Sequence, residues 1–487
     1  MMKTQALKEL LPDYAAHPLA SLRLGGLCLD SRYLEAGDAF VALPGELGHG
    51  LDYLSMARER GAVCVLSDRA PADASADVVV IPDLVARLSA LAQCFYDDPS
   101  AHLRITGVTG TNGKSTCAHL MMQVLNACGE TAGMIGTIGW GLPQHWQTAT
   151  HTTADVLSNQ RMLAAMRASG ANSVAMEVSS HALAQGRTDG VRIQTAIFTN
   201  LSHDHLDYHG TLSAYGEAKR KLFAHPTLRH AILNADDPYS STIAATLSED
   251  VQLLRYTCER HDAEVGVGAI DLEPDGIHAS IHSPWGQGQL SLPMLGRYNL
   301  GNALAVLTAA CVQGQDFTMV LNALSRVVTV PGRLQRVDVT GGPMTLIDYA
   351  HTPDALDKVL RAVREHVSGR LWCVFGCGGD RDRAKRPLMG RIAHEAADAL
   401  VITSDNPRTE SPMAIIREIA TGVPVGTADL IEDRERAIRS VVQWAAPEDV
   451  ILIAGKGHED YQEIDGVRYP FSDALVAREA LERRYAA

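Results

Sequence analysis

Eight apolar, β-rich runs of strand length, each closed by a cluster of small or polar residues, constrain this chain more than any other feature. Residues 105–109, 173–178, 196–199 and 231–233 lead into Gly-Thr-Asn-Gly-Lys-Ser, Glu-Val-Ser-Ser-His, Asn-Leu-Ser-His-Asp-His-Leu-Asp and Asn-Ala-Asp-Asp. Residues 345–347, 371–375, 399–403 and 449–453 lead into Asp-Tyr-Ala-His, Gly-Cys-Gly-Gly-Asp-Arg, Ser-Asp-Asn-Pro-Arg and Gly-Lys-Gly-His-Glu. Continuous apolar runs of this length, separated by helix-length segments, predict buried parallel strands in α/β domains. In such sheets ligands gather beyond the carboxyl ends of the strands, where these polar clusters fall.

A shorter α/β stretch with strands at 62–67 and 78–81 precedes them and ends at Asp97-Asp98-Pro99-Ser100, which reads as a linker. A second turn cluster, Pro331-Gly332-Arg333, separates the two later sets. The expected organisation is therefore three α/β domains over 1–100, 101–331 and 332–487. A length of 487 residues accommodates that number.

The balance of 43 basic and 57 acidic residues gives a net charge of −14, which disfavours a general nucleic-acid or anionic-membrane surface. Nine scattered cysteines without a Cys-x-x-Cys pair suggest reduced thiols rather than a disulfide framework or thiolate zinc site. The opening residues carry Glu9 and Asp13 and lack an apolar signal core, and no run approaches a membrane span. A cytoplasmic protein with no nucleic-acid or membrane partner is expected.

The segment Gly107-Val108-Thr109-Gly110-Thr111-Asn112-Gly113-Lys114-Ser115-Thr116 follows a strand and opens a helical run at 117–127, the context of a phosphate-binding loop. Glycines admit backbone N–H groups to phosphate oxygens, Lys114 neutralises the outer phosphates, and the Ser115 hydroxyl reaches Mg²⁺. Gly107 and Gly113 enclose five residues where the usual motif has four. Glu177 and the cluster His203-Asp204-His205-Leu206-Asp207 fall on neighbouring strand ends and suit Mg²⁺ held with phosphate and water; a zinc site and a solvated loop are the competing readings. Asp348 ends a strand just before a helix and reads equally as a helix cap. Arg381, Asp405, Asn406, Arg408 and Glu459 suggest a pocket for a small zwitterion, against the alternative of surface ion pairs.

Taken in order, Thr109 to Ser115, Glu177-Val178-Ser179-Ser180-His181, Asn200 through Asp207, Tyr298-Asn299-Leu300-Gly301-Asn302-Ala303 and Asp348-Tyr349-Ala350-His351 resemble the Mur ligases over essentially the whole chain. Asp30-Ser31-Arg32, Gly37 to Ala42 and Asp405-Asn406-Pro407-Arg408 are similar to the members that add meso-diaminopimelate.

The resemblance implies a small amino-terminal α/β domain for the uridine nucleotide, a central ATPase domain with a mainly parallel sheet and a carboxyl-terminal Rossmann-like α/β domain for the amino acid. It implies ATP and Mg²⁺, with UDP-N-acetylmuramoyl-dipeptide and meso-diaminopimelate as substrates of a monomeric enzyme. Carried over by position, Leu29, Ser31 and Glu46, Leu47 and Gly48 hold the UDP end, and His151, Thr152, Thr153, Ser179, Gln185 and Arg187 the muramoyl-dipeptide. His151 stands where the family usually has Asn. Gly110, Thr111, Asn112, Gly113, Lys114, Ser115 and Thr116 cradle ATP, joined by Asn302, Arg333 and Asp348. Arg381, Asp405, Asn406, Pro407, Arg408, Gly455 and Glu459 receive the amino acid. Lys219, read alone, is an exposed helical lysine; the resemblance makes it a carbamylated ligand of Mg²⁺ beside Ser115, Glu177 and His205.

The implied chemistry is amide formation through an acyl phosphate. Lysine-adding or polyglutamate-adding ligases of the family are the near alternative, and a phosphate-loop switch or motor is the distant one.

Overall fold

The computed structural model describes residues 4–45, 48–72, 75–149, 151–259 and 262–485. It contains two compact units, Met1–Tyr256 with Thr308–Gln315 and Thr257–Leu307 with Asp316–Ala487.

Besides the short antiparallel pair Gln5–Ala6 with Arg23–Leu24, the first unit holds two larger sheets. Leu27–Cys28, Ala39–Ala42, Cys64–Ser67 and Val78–Val80 form a parallel four-stranded sheet. Helix Leu84–Tyr96 follows, and its end is set by two consecutive aspartates with positive φ, Asp97 at 60° and Asp98 at 36°. Short polar side chains tolerate this left-handed turn better than apolar ones. The second sheet runs in the order His145–Gln147, Gly139–Leu142, Ala132–Gly136, Ser173–Glu177, Arg104–Thr109, Ile193–Phe198, His230–Asn234 and Gln252–Tyr256. Arg104–Thr109 is central and parallel to both neighbours. The chain winds first to one side of it and then to the other, so the crevice at its carboxyl end is the expected ligand position.

The second unit has a six-stranded sheet ordered Gln335–Val337, Met344–Asp348, Val450–Ala454, Leu371–Phe375, Ala399–Ile402 and Asp429–Leu430, parallel except for its first strand. Alternate residues serve two cores. Leu346, Cys373, Phe375, Leu452 and Ala454 pack on one face, and Ile347, Trp372, Val374, Ile451 and Ile453 on the other. Burial on both faces is why these strands read as unbroken apolar runs.

The strands expected from sequence appear with ends shifted by up to three residues, and the helix expected from 117 begins at Lys114. The antiparallel elements are not foreseen from sequence: the pair Gln5–Ala6 with Arg23–Leu24, the strands Gly139–Leu142 and His145–Gln147, the sheet Gly266–Glu273, Gly276–Ser283 and Gly286–Leu292, the edge strand Gln335–Val337, and the hairpin Tyr461–Ile464 with Val467–Pro470. Among the described residues no helix is long and apolar enough to cross a membrane.

Candidate active site

In the first unit, strand Arg104–Thr109 runs into a loop over Gly110–Gly113 and then helix Lys114–Ala127. A Cβ at Gly110 would overlap Thr199 Oγ1, so the tight turn there admits only glycine. Asn200 shapes the loop from the neighbouring strand end: its backbone oxygen accepts from Thr111 N at 2.8 Å and its Oδ1 from Asn112 N at 3.0 Å. Lys114 curls back to donate to the carbonyls of Gly110 and Thr111, both at 2.8 Å. Its stem is thereby laid along the loop that would hold phosphates.

Glu177 is fully buried at the end of its strand. Its carboxylate accepts from Ser115 Oγ at 2.8 Å and from Thr137 N at 2.8 Å. Gly136 leaves the room it occupies, since a Cβ there would overlap Glu177 Oε1. From Glu177 a hydrogen-bonded line runs outward. Thr137 Oγ1 lies 3.0 Å from Thr152 Oγ1, and Thr153 Oγ1 donates to Glu177 O at 2.9 Å and accepts from Ser179 N at 3.0 Å. Arg187 then donates to Thr153 O at 3.2 Å and Gln185 Oε1 at 2.8 Å. The expected muramoyl contacts Thr152, Thr153, Ser179, Gln185 and Arg187 thus form one network.

Lys219 is not exposed. It is 1% accessible in helix Leu212–Arg220, donates to Gly110 O at 2.8 Å and lies 4.2 Å from the centroid of the Tyr215 ring. Burial pushes its amine well below the ordinary lysine range, and the neighbouring Lys114 pushes the same way. His205 takes a left-handed backbone, φ 53°, and its ring stacks edge-on against His181 at 4.9 Å.

At the other sheet of this unit, Ser31 is buried and Leu29 half-buried around the short turn Ser31–Tyr33, capped by Asp30. Arg32 hydrogen bonds hold the Asp30 carboxyl below its usual range, with a smaller contribution from His151. Gly48 O accepts from Gly45 N at 2.7 Å, while Glu46 and Leu47 lie outside the described residues.

In the second unit, Asp348 does not cap the following helix; Thr352 does. Asp348 instead accepts from Leu334 N and Ala350 N, each at 2.8 Å, and burial raises its pKa against the pull of nearby Arg333. Arg333 lies over the Tyr349 ring at 4.9 Å, and Asn302, in helix Arg297–Val312, donates to Asn299 Oδ1 at 3.1 Å.

The polar set at 405–408 is no surface cluster. Asp405 is 8% and Asn406 3% accessible. Asn406 Nδ2 donates to Glu459 Oε2 at 2.8 Å. Pro407 turns the chain into Arg408, whose φ is 52° and whose Nη1 donates to Gly379 O at 2.8 Å. Glu463 faces Arg408 Nε at 3.4 Å, and Nη2 makes no hydrogen bond among the described residues. Gly378 sits between Arg408 and the Arg381 stem, and Gly455 lies against Asp405 Oδ2. Sequence reasoning did not single out Lys456, Glu463, Thr137 or Asn200 as site residues; the Gly455-Lys456-Gly457-His458-Glu459 strand end was the one available signal for Lys456.

Among the described residues no three His, Cys, Asp or Glu side chains are grouped to hold a metal by themselves. The buried Glu177 carboxylate bonded to the Ser115 hydroxyl is an all-oxygen pair. It fits a hard cation such as Mg²⁺ that completes its shell with phosphate oxygens and water.

A glycine-rich loop with its lysine at the switch point of one sheet, and a buried Asp405–Asn406 pair with half-buried Arg408 and Glu459 at the strand ends of another, are features expected of a nucleotide-dependent α/β protein. Residues 23–96 match the Mur ligase family catalytic domain, 108–310 the Mur ligase middle domain and 332–457 the Mur ligase glutamate ligase domain. Proteins named UDP-N-acetylmuramoyl-L-alanyl-D-glutamate--2,6-diaminopimelate ligase are 45% identical in Alkalilimnicola ehrlichii, over 94% of this chain and 95% of the relative. The one from Coxiella burnetii is 43% identical over 99% and 100%. A solved structure of a ligase with that name is 35% identical, covers 99% of this chain and 100% of its own, and superimposes with a TM-score of 0.72. The MurF ligase from Thermotoga maritima in complex with ADP, 18% identical over 94% and 98%, shares the fold with a TM-score of 0.67. The chain belongs to the Mur ligase family, with that family's three-domain α/β architecture.

Proposed function

We propose that this protein ligates meso-diaminopimelate to UDP-N-acetylmuramoyl-L-alanyl-D-glutamate at the expense of ATP, in cytoplasmic peptidoglycan precursor synthesis. The observation that carries the reading is near-full-length likeness, at 43–45% identity, to relatives bearing that ligase's name. Residues 1–100 bind the UDP end, 101–331 the ATP and reacting carboxylate, and 332–487 the amino acid.

The D-glutamyl carboxylate attacks the γ-phosphorus of ATP; the new C–O–P bond forms as the bond to ADP breaks. The diaminopimelate amine then attacks the acyl carbon, the C–N bond forms, phosphate leaves with the carbon–oxygen bond, and the amine loses a proton. Acyl phosphate is a far better electrophile than carboxylate, so no protein nucleophile is required. Gly110 to Thr116 cradle the phosphates. Lys114 offsets the charge of the transferring group. The Thr152–Arg187 network orients the muramoyl-dipeptide carboxylate toward it.

Ser115, Glu177, His205 and a carbamylated Lys219 would hold Mg²⁺, which supplies electrophilic charge neutralisation at the phosphates. Carbamylation needs an uncharged amine, and the burial of Lys219 favours that form. In the second unit Asp405, Asn406 and Glu459 receive an ammonium, and Arg381 and Arg408 carboxylates. Lysine lacks the distal carboxylate that Arg408 would pair.

Incubating the protein with Mg²⁺, ATP and UDP-muramoyl-dipeptide, and offering diaminopimelate, lysine or glutamate in turn, is expected to yield the diaminopimelyl tripeptide, identified by mass. A lysyl or glutamyl product instead, or ATP turnover that needs no amino acid, would overturn the reading.

A further inference from the structure

One buried cationic side chain of the second unit, Lys456, has no role in the site described above. Its side chain is fully buried at the carboxyl end of strand Val450–Ala454, in a region otherwise built for a ligand. The flanking backbone explains how it gets there. Gly455 has φ 115° and Gly457 φ 54°, and side chains at those positions would collide with Asp405 Oδ2 and Tyr349 Cβ. Only glycine on both sides lets the chain turn so closely that Lys456 passes inward.

Lys456 Nζ donates to Asn406 Oδ1 at 3.0 Å and to Glu459 Oε2 at 3.1 Å. Glu463 N also donates to Asn406 Oδ1, at 3.0 Å. Two donors on one amide oxygen decide the rotamer of a group whose two ends are otherwise nearly interchangeable. The Asn406 Nδ2 must then face Glu459, and it donates to Oε2 at 2.8 Å. Both donors to Glu459 thus fall on Oε2, and Oε1 receives no hydrogen bond among the described residues. The Glu459 side chain is 20% accessible, so this oxygen is the one available to a ligand.

We infer that Lys456 is a positioning residue for the amino-acid substrate: it locks Asn406 and Glu459 into one triangle whose free oxygen, Glu459 Oε1, accepts the substrate ammonium. This rests on the reading of the pocket as the amino-acid site. A buried cation removed from such a triangle leaves Asn406 free to flip and Glu459 free to rotate toward its own loop.

The test uses the full-length enzyme with all three substrates. Lys456→Met is expected to raise KM for diaminopimelate at least about 10-fold, the scale of a lost hydrogen bond to a charged group. The kcat at saturating amino acid, and KM for ATP and the UDP-substrate, should stay within about 2-fold. In a Glu459→Gln background the same change should add little, because the group through which Lys456 acts is already altered. Multiplying effects in the double variant, or equal loss toward all three substrates, would overturn the inference. No change in KM for diaminopimelate on Glu459→Gln alone would remove the pocket reading itself, and the inference with it. If Lys456→Met does not fold, Lys456→Gln carries the same measurement; loss of the fold in both makes Lys456 a structural residue only.

Discussion

Among the described residues each unit buries one lysine at a strand-end site, and the two are treated in opposite ways. Lys219 sits over an aromatic ring with its nitrogen on a loop carbonyl that Lys114 also uses, so burial and a like charge push it toward the neutral amine. Lys456 is matched by the Glu459 carboxylate and an amide oxygen. One environment favours an uncharged amine; the other holds an ammonium in an ion pair. Residue type and burial are the same, and the partners decide the chemistry.

The sharpest way to break this contrast is Lys219→Ala. On the proposed reading it removes an acidic oxygen ligand from the phosphoryl-transfer site, and turnover should fall by about 1,000-fold while circular dichroism shows an intact fold. Short carboxylates added to the variant should restore part of the activity. Wild-type turnover would return Lys219 to an ordinary core residue.

A smaller effect is expected on the other side. Arg408→Ala should lower kcat/KM for meso-diaminopimelate by about 30-fold or more, the value of a lost charge-assisted contact, and leave the weak reaction with L-lysine nearly unchanged. Arg408→Lys should rescue poorly because an ammonium lacks the planar fork. Competition assays with both amino acids read this directly, and parallel losses would assign Arg408 to the fold of the 405–408 turn instead.

The smallest effect separates the lysines by stability. In CO₂-free buffer, Lys219 binds a proton more weakly in the folded chain than in the unfolded one, where its pKa is near 10.5. The unfolded state therefore holds more protons between the two values, and stability rises with pH across that window. Lys219→Met should raise Tm by a few degrees at neutral pH, roughly what 1 kcal/mol gives. The advantage should shrink as pH climbs toward 10.5. A gap that is constant with pH would show that packing, not charge burial, sets it.

Much of the scaffold could be read directly. Strands such as Leu371–Phe375 are buried on both faces, so local composition carries their signal, and the phosphate loop announces itself through glycines, lysine and a following helix. The antiparallel sheet over 266–292 escaped because its strands alternate. Ile277, Ala279 and Ile281 point inward between half-buried His278, Ser280 and His282, which breaks any continuous apolar run.

By itself, then, the sequence determined the parallel α/β scaffold, the positions of its strand ends and the residue types gathered there, because these depend on neighbours within a few positions. Only the tertiary structure decided what Lys219 and Lys456 are. Lys219 lies in a helix beside polar Glu217 and Arg220, and it is buried by Gly110, 109 residues earlier. Lys456 finds Asn406 across 50 residues. Desolvation and pairing are properties of the surroundings that folding brings together, and no local pattern of residues encodes them.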